Sequence, residues 1–228
     1  MIKVEDYFNI SNFEYNEIFD RVEFVWDALK ILKEYIDDKV KAGTYIKGRV
    51  MDGAYVSSDN VIVEEGAFVE YGAMVKGPAI IGRNAVIRHG AYIREYCIVG
   101  EECVVGHASE LKGSIMLSGS QAPHFSYVGD TILGNHVNLG AGTKISNLKN
   151  DRSEITVDSN GVKYNTGLKK FGAIVGDYVQ TGCNCVVNPG TLIGPGSMVY
   201  PNIFLRGVHP SNIIIKLRQT HEIEVIKS

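Results

Sequence analysis

The sequence predicts an all-β fold, a parallel β-helix of hexapeptide repeats preceded by one α-helix, and three observations predict it. Aliphatic residues recur every six positions from Val63 to Val105 without a miss, a small residue stands four places after each, and 25 of the 228 residues are glycine. A six-residue unit supplies one short strand and one bend, with the aliphatic side chain pointing into a narrow interior and the small residue sitting where space is short. Glycine enrichment follows from tight turns, whose backbone conformations other residues resist.

Residues 1–44 read as an N-terminal helical segment. Ile18, Val22, Val25, Leu29, Leu32 and Ile36 alternate spacings of four and three, which places them on one face of a helix over about 11–42. Ser11 with Glu14 fits a capping box, Lys39 and Lys41 fall in the last turn, and Gly43 marks the stop. Fewer than three heptads is short for a coiled coil. The helix is therefore expected to pack against its own chain or the flank of a neighbouring subunit.

Residues 45–210 carry the repeat. The aliphatics Val63, Val69, Val75, Ile81, Ile87, Ile93, Val99 and Val105 are followed by Ala67, Ala73, Ala79, Ala85, Ala91, Cys97, Cys103 and Ser109. The frame resumes at Leu133, Leu139 and Ile145, and again at Val175, Thr181, Val187, Ile193, Val199 and Leu205. Three units close one triangular coil, and stacked coils line equivalent side chains into ladders.

The period breaks twice, at 118–130 (SGSQAPHFSYVGD) and at a polar insertion over 146–171. Within the insertion, Ile155-Thr156-Val157 and Val162-Lys163-Tyr164 flank Asp158-Ser159-Asn160-Gly161, the pattern of a small hairpin with an Asn-Gly turn. A short tail, 211–228, ends the chain. Loops expelled from a rigid solenoid usually carry its function, because the coils are committed to stacking. Both breaks are expected to be such loops.

Twenty-six acids against 23 bases, a net charge of −3 and 45% hydrophobic content argue against a disordered chain and against a nucleic-acid binder relying on bulk positive charge. No apolar run reaches the roughly 18 residues a membrane helix needs, and MIKVEDYFNI is no export signal. A soluble cytoplasmic protein with no membrane partner is expected. Four cysteines in that setting do not make a disulfide framework. Cys97, Cys103 and Cys185 occupy small-residue slots and read as buried, and Cys183-Asn184-Cys185 is too tightly spaced for a zinc pair.

His124 lies in the first break with Tyr127 three residues on; the second opens with Asn147 and closes with Lys169-Lys170. An imidazole, a phenol, a carboxamide and ammonium groups suit proton removal and anion binding. On composition alone, a histidine beside proline is more often structural.

Residues 92–218 resemble the acetyltransferase domain of the bifunctional N-acetylglucosamine-1-phosphate uridylyltransferase/glucosamine-1-phosphate acetyltransferases, and still more the corresponding domain of archaeal sugar-1-phosphate nucleotidylyltransferases. The carrying segments are GSQAPHFSYVGD (119–130), NLGAGTKISNL (138–148) and KKFGAIVGDYVQTG (169–182). The resemblance implies a left-handed helix, a hand that periodicity does not set. It also implies that His124 is the general base, that Asn147 helps hold the substrate amine, and that the backbone N–H of Ala141 stabilises an oxyanion, worth roughly 3 kcal/mol. Arg94 and Lys112, 30 and 12 residues before His124, fall on two cations for the sugar phosphate. Tyr127 and Lys170 complete that anion site, and Asn138 contacts the sugar. Arginine's fork suits phosphate and lysine adds a point charge.

Gly182, Cys183 and Pro201 fall where the family lines acetyl-CoA, and Arg218 on a basic residue near the CoA phosphates. Cys183 stands in place of a common serine and Pro201 in place of a common alanine. The family's nucleotidyltransferase domain has no counterpart here, so no uridylyl transfer is expected. The implied activity is acetyl-CoA-dependent N-acetylation of an amino-sugar 1-phosphate, glucosamine 1-phosphate or galactosamine 1-phosphate, without a covalent enzyme intermediate and without a metal. The implied assembly is a homotrimer with sites between neighbouring prisms; a separately made nucleotidyltransferase is a further candidate partner, which the resemblance leaves open.

Three other readings stand beside it. One is a hexapeptide acyltransferase for another amine, such as a nucleotide-linked amino sugar. Another is a non-catalytic module that binds a sugar nucleotide or assembles a nucleotidyltransferase. The third, a zinc carbonic anhydrase, needs three histidines on one metal. His89 and His107, 18 residues apart, stack one coil apart without a third at ligand spacing, and read with His136 as exposed turn residues. His209 and His221 fit no pattern.

Overall fold

One aliphatic side chain per six residues fills a tube three strands in circumference, and the computed structural model, which describes residues 2–218, 220 and 222–224, has that form. The hexad aliphatics from Val63 to Leu205 join one continuous interior, and Ala67, Ala73, Cys97, Cys103 and Cys185 are buried in their small-residue slots. Burial pushes the Cys97 thiol up to about 12 and the Cys103 thiol up to about 11.

The coils wind left-handed and build three parallel ladders. Face I holds nine strands, from Tyr45–Ile46 to Val208–His209. Face II holds five, from Arg49–Val50 to Gln121–His124, and continues through bridges at Asn138 to three more, Gln180–Thr181 to Ile214–Ile215. Face III holds eight, from Tyr55–Val56 to Phe204–Leu205.

The segment 118–130 corrects the expectation of an expelled loop. Gln121–His124 and Tyr127–Gly129 are strands, paired in register with Val104–His107 and Glu110–Lys112. The frame breaks because two units have five residues: inward positions run Leu111, Met116, Ala122, Val128, Leu133. Thus Ile98 pairs with Ile115, 17 residues on, where Ile80 pairs with Ile98, 18 on. Both shortened units turn from face III to face I, at Lys112-Gly113 and Gly129-Asp130. The insertion over 146–171 leaves from the same corner one coil later.

The insertion itself is folded. Its hairpin pairs Thr156–Ser159 with Val162–Asn165, and Asn160 and Gly161 take φ +54° and +79°, the conformation an Asn-Gly turn supplies. Ile155 and Val157 are buried against the outside of face I.

The N-terminal helix is shorter than predicted, Ala28–Ala42, with Lys39 and Lys41 in its last turn and Gly43 after it. Residues 11–27 instead contain two short 3₁₀ turns, Asn16–Phe19 and Val25–Asp27. The Ser11 hydroxyl donates to Asn9 Oδ1 at 2.7 Å and Glu14 lies 3.5 Å from Arg83, so the predicted capping box does not form. Face I gives the reason. Its strands carry a second, outward aliphatic beside the inward one: Ile62, Ile80, Ile98, Ile115, Ile132, Ile174 and Leu192 form an apolar wall. Tyr7, Phe8, Phe13, Tyr15, Phe19 and Trp26 are all buried on it, whereas a helix would turn many of these rings to water.

Buried Asp177 fastens this cover, accepting from Asn9 N (2.8 Å), Asn135 N (2.7 Å) and Asn135 Nδ2 (3.0 Å). Trp26 stacks on Phe24 at 5.1 Å and meets Tyr164 and Phe171 of the insertion at 6.3 Å each. Face I is therefore covered on its outer side. No described helix is long and apolar enough to cross a membrane. Of the tail, residues 219, 221 and 225–228, His221 among them, lie outside the described residues.

Candidate active site

Side chains two apart on a strand share a side, so face III turns both Tyr92 and Arg94, and both Glu110 and Lys112, outward. In-register pairing then stacks Tyr92, Glu110, Tyr127 and Lys144 in successive coils. Arg94 Nη1 donates to Glu110 Oε1 at 2.9 Å. Lys112 Nζ donates to both Asp130 carboxylate oxygens, at 2.8 and 2.9 Å. Asn147 Nδ2 donates to Asp130 Oδ2, and Asn147 lines the same cleft as the Tyr127 phenol. Four predicted residues, Arg94, Lys112, Tyr127 and Asn147, thus meet in one connected wall.

Burial, with Glu110 and Asp130 nearby, raises the Tyr127 phenol above its ordinary pKa and keeps it a neutral donor. The hydrogen bond that Arg94 donates to Glu110 holds Arg94 still more firmly protonated. The sequence reading named the cations and missed both acids that hold them. A signal was present: Glu110 is two residues before Lys112, and Asp130 ends the same string that contains His124. Beside the wall lies an open cleft of about 420 Å³, lined in part by Glu110, Phe125, Tyr127, Lys144 and Asn147. Lys170 is exposed at the neck of the insertion, where it bridges Leu148 while Phe171 N donates to Asn147 O at 2.9 Å.

His124 stands exposed at the corner between faces II and III, at the end of Gln121–His124. Its carbonyl accepts from Gly142 N at 3.0 Å; one coil on, Ala141 O accepts from Asn184 N at 2.8 Å, and then Cys183 O from Asn202 N at 3.0 Å. This repeated bond aligns His124, Ala141, Cys183 and Pro201 in one column. A Cβ on Gly182 would come within 2.5 Å of Pro201 N, so only glycine permits that approach of coils.

In the other direction the corner carries exposed His107, His89 and Tyr71. The imidazoles stack at 5.4 Å, His89 lies on Tyr71 at 6.0 Å, and each Nδ1 meets the carbonyl of the preceding coil, at 2.9 Å for His107 and 2.8 Å for His89. His136 is likewise exposed, stacked on Tyr178 at 5.2 Å.

One predicted sugar contact stands apart from the wall. Asn138 bridges Gln121 and Gln180 on face II, and a single subunit does not bring it to the face III wall. Arg218 is exposed past the last strand, Ile214–Ile215. Lys216, a cation the sequence reading did not name, has its Nζ 5.2 Å from the ring centroid of Tyr200, the residue before Pro201.

A left-handed coil of hexapeptide units, with polar groups gathered on its open faces, defines the hexapeptide-repeat class. Within that class the chain belongs to the family described as the GMPPB C-terminal domain, which matches residues 75–204, more than half of its length. It is 45% identical over 196 residues to the bifunctional protein GlmU of Methanococcus maripaludis, covering 86% of this chain and 46% of that protein. It is 44% identical over 92 residues to the bifunctional sugar-1-phosphate nucleotidylyltransferase/acetyltransferase of Sulfurisphaera tokodaii, covering 40% of this chain and 23% of that one. The chain thus spans less than half the length of these relatives. Among solved structures, a hexapeptide transferase family protein from Anaplasma phagocytophilum aligns at 15% identity and a TM-score of 0.38, covering 78% of this chain and 81% of that one.

Proposed function

We propose that this chain is an acetyl-CoA-dependent N-acetyltransferase of an amino-sugar 1-phosphate, glucosamine 1-phosphate first and galactosamine 1-phosphate second. The observation that carries this reading is the adjacency of two arrays: the wall of Arg94, Lys112, Tyr127 and Asn147 on face III, and the corner column headed by His124. The Sulfurisphaera tokodaii relative, a bifunctional sugar-1-phosphate nucleotidylyltransferase/acetyltransferase, favours it as well.

In this reading Arg94 and Lys112 hold the phosphate, helped by Tyr127 and Lys170. Each of the first two already has a carboxylate partner, so phosphate adds charge-assisted bonds to side chains that are in place. The sugar ammonium must lose its proton before its nitrogen can attack. Asn147 holds the amine, and His124 as a neutral imidazole takes the proton. Acetyl-CoA, lying along Gly182, Cys183 and Pro201 with Lys216 and Arg218 toward its phosphates, supplies the acetyl group as a thioester. The backbone N–H of Ala141 stabilises the developing oxyanion by roughly 3 kcal/mol. The nitrogen–carbon bond forms, the carbon–sulfur bond breaks, and the thiolate leaves and is protonated.

A homotrimer that seats face II of one subunit against face III of the next brings Asn138 to a neighbour's wall, and the covered face I leaves those two faces for the purpose. The same reading implies a cytoplasmic setting and a separate nucleotidyltransferase that takes the acetylated sugar phosphate. His124→Ala tests the base: turnover of acetyl-CoA with the sugar phosphate should fall about 10²–10⁴-fold with an unchanged melting temperature. Undiminished turnover rejects the assignment.

A further inference from the structure

The two five-residue units and the insertion meet at one corner, and that corner places a carboxylate between two groups of the candidate site. Asp130 takes φ +45°, a left-handed conformation. Its backbone is pinned on both sides: Asp130 N donates to Lys112 O at 2.8 Å, and Gly172 N donates to Asp130 O at 2.8 Å. Its side chain accepts from Lys112 in the coil before and from Asn147 in the coil after. Glycines make the space. A Cβ on Gly113 would lie 2.7 Å from Asp130 Oδ1, and one on Gly129 would lie 2.8 Å from both Asn147 Nδ2 and the Tyr127 hydroxyl. The side chains of Lys112 and Asp130 keep only 22% and 16% of their exposure, so solvent screens this pair less than a surface ion pair.

From this geometry we infer that Asp130 is a positioning residue, which sets the orientation of the Asn147 amide and shares Lys112 with the incoming phosphate. An ionised carboxylate only accepts hydrogen bonds. The amide of Asn147 must therefore turn Nδ2 to Asp130, because the flipped amide would set oxygen against oxygen. That orientation leaves Oδ1 as the atom that accepts from the substrate amine. Asp130 also tempers the charge on Lys112, so Lys112 binds phosphate less tightly than a free ammonium would. The inference rests on the acetyltransferase reading for its catalytic consequence, while the Asp130–Asn147 link stands on the structure alone.

Asp130→Asn tests it, since the side chain keeps its shape but gains a donor and loses its charge. The kcat for the amino-sugar 1-phosphate should fall about tenfold to a hundredfold as the amide loses its fixed orientation, whereas KM for the sugar phosphate should hold or fall as Lys112 is released. The Asp130→Asn/Asn147→Ala pair should be no slower than Asn147→Ala alone. Multiplying losses in the pair, or a rise in KM matching the loss in kcat, would overturn the inference. A readout free of activity is the Asn147 side-chain amide signal in the NMR spectrum of the intact protein, which should move in Asp130→Asn. An unmoved signal in a folded variant also overturns it. A moved signal in a protein with no acetyl transfer keeps the positioning and removes the acetyltransferase reading. Should Asp130→Asn not fold, Lys112→Met/Asp130→Asn keeps the corner electrically balanced and is read by the same signal.

Discussion

Face I and the two open faces are wound from the same repeat and share one interior, yet they differ in what lies outside. On face I the outward positions are aliphatic, and the N-terminal segment and the insertion hairpin bury them. On faces II and III the same positions are mixed: polar Gln121, Asn138 and Gln180, or Tyr92, Glu110, Tyr127 and Lys144, stand in the middle coils, with apolar residues such as Val86, Val104, Met198 and Phe204 above and below. The inside of a solenoid is therefore common property, and its outside decides what each face does. By closing one face, the cover leaves the other two open.

Changes to the cover and to the open faces should separate these roles. Trp26→Ala removes a fully buried ring that joins the N-terminal segment to the insertion, and should cost about 3–5 kcal/mol in denaturant unfolding. Asp177→Ala strips three donors of their acceptor and should cost about 1.5–3 kcal/mol by the same measurement.

Alkaline pH should act on the cover next. Burial raises the phenol pKa of Tyr7 and Tyr15 in the folded state, so the unfolded chain loses these protons first. Stability is then intact below the ordinary tyrosine value of about 10 and falls above it, by up to about 1.4 kcal/mol per pH unit for each residue. A melting temperature that holds steady from pH 9 to 11 would contradict this. The smallest effect belongs to the open side. A thiol reagent should label exposed Cys183 quickly with little loss of stability, while buried Cys97 and Cys103 react only on unfolding, as mass spectrometry would show.

The interior was legible because burial on one side of a short strand leaves a strict period, and every inward residue from Val63 to Val105 obeys it. The cover was less so. A period of three and four over 18–36 suggested one long helix, but Ile18 and Val25 answer to the apolar wall of face I, while Leu32 and Ile36 lie in the true helix. The paired aliphatics Ile80-Ile81, Ile98-Val99, Ile115-Met116 and Ile132-Leu133 were the sign of a strand buried on both faces. The break at 118–130 looked like a loop because a one-residue deletion shifts a frame as surely as an excursion does. Within the candidate site, the family resemblance pointed to Arg94, Lys112 and Asn147, and the fold brings the three onto one face. Glu110 and Asp130 stood close to Lys112 and His124 in the sequence, but their pairing with Arg94 and Lys112 joins positions in different coils and shows only once the coils are stacked. Asn138 lies away from the face III wall in a single chain, and Lys216 was overlooked because only the stacking of coils puts it beside Tyr200.

The measurement that tests the central claim most directly is thiol release from acetyl-CoA by the purified protein, compared across glucosamine 1-phosphate, galactosamine 1-phosphate and unphosphorylated glucosamine. The account predicts turnover with a 1-phosphate and little with the free sugar, because it assigns the phosphate to Arg94 and Lys112. Equal turnover with unphosphorylated glucosamine, or none with any of the three in folded protein, would contradict it.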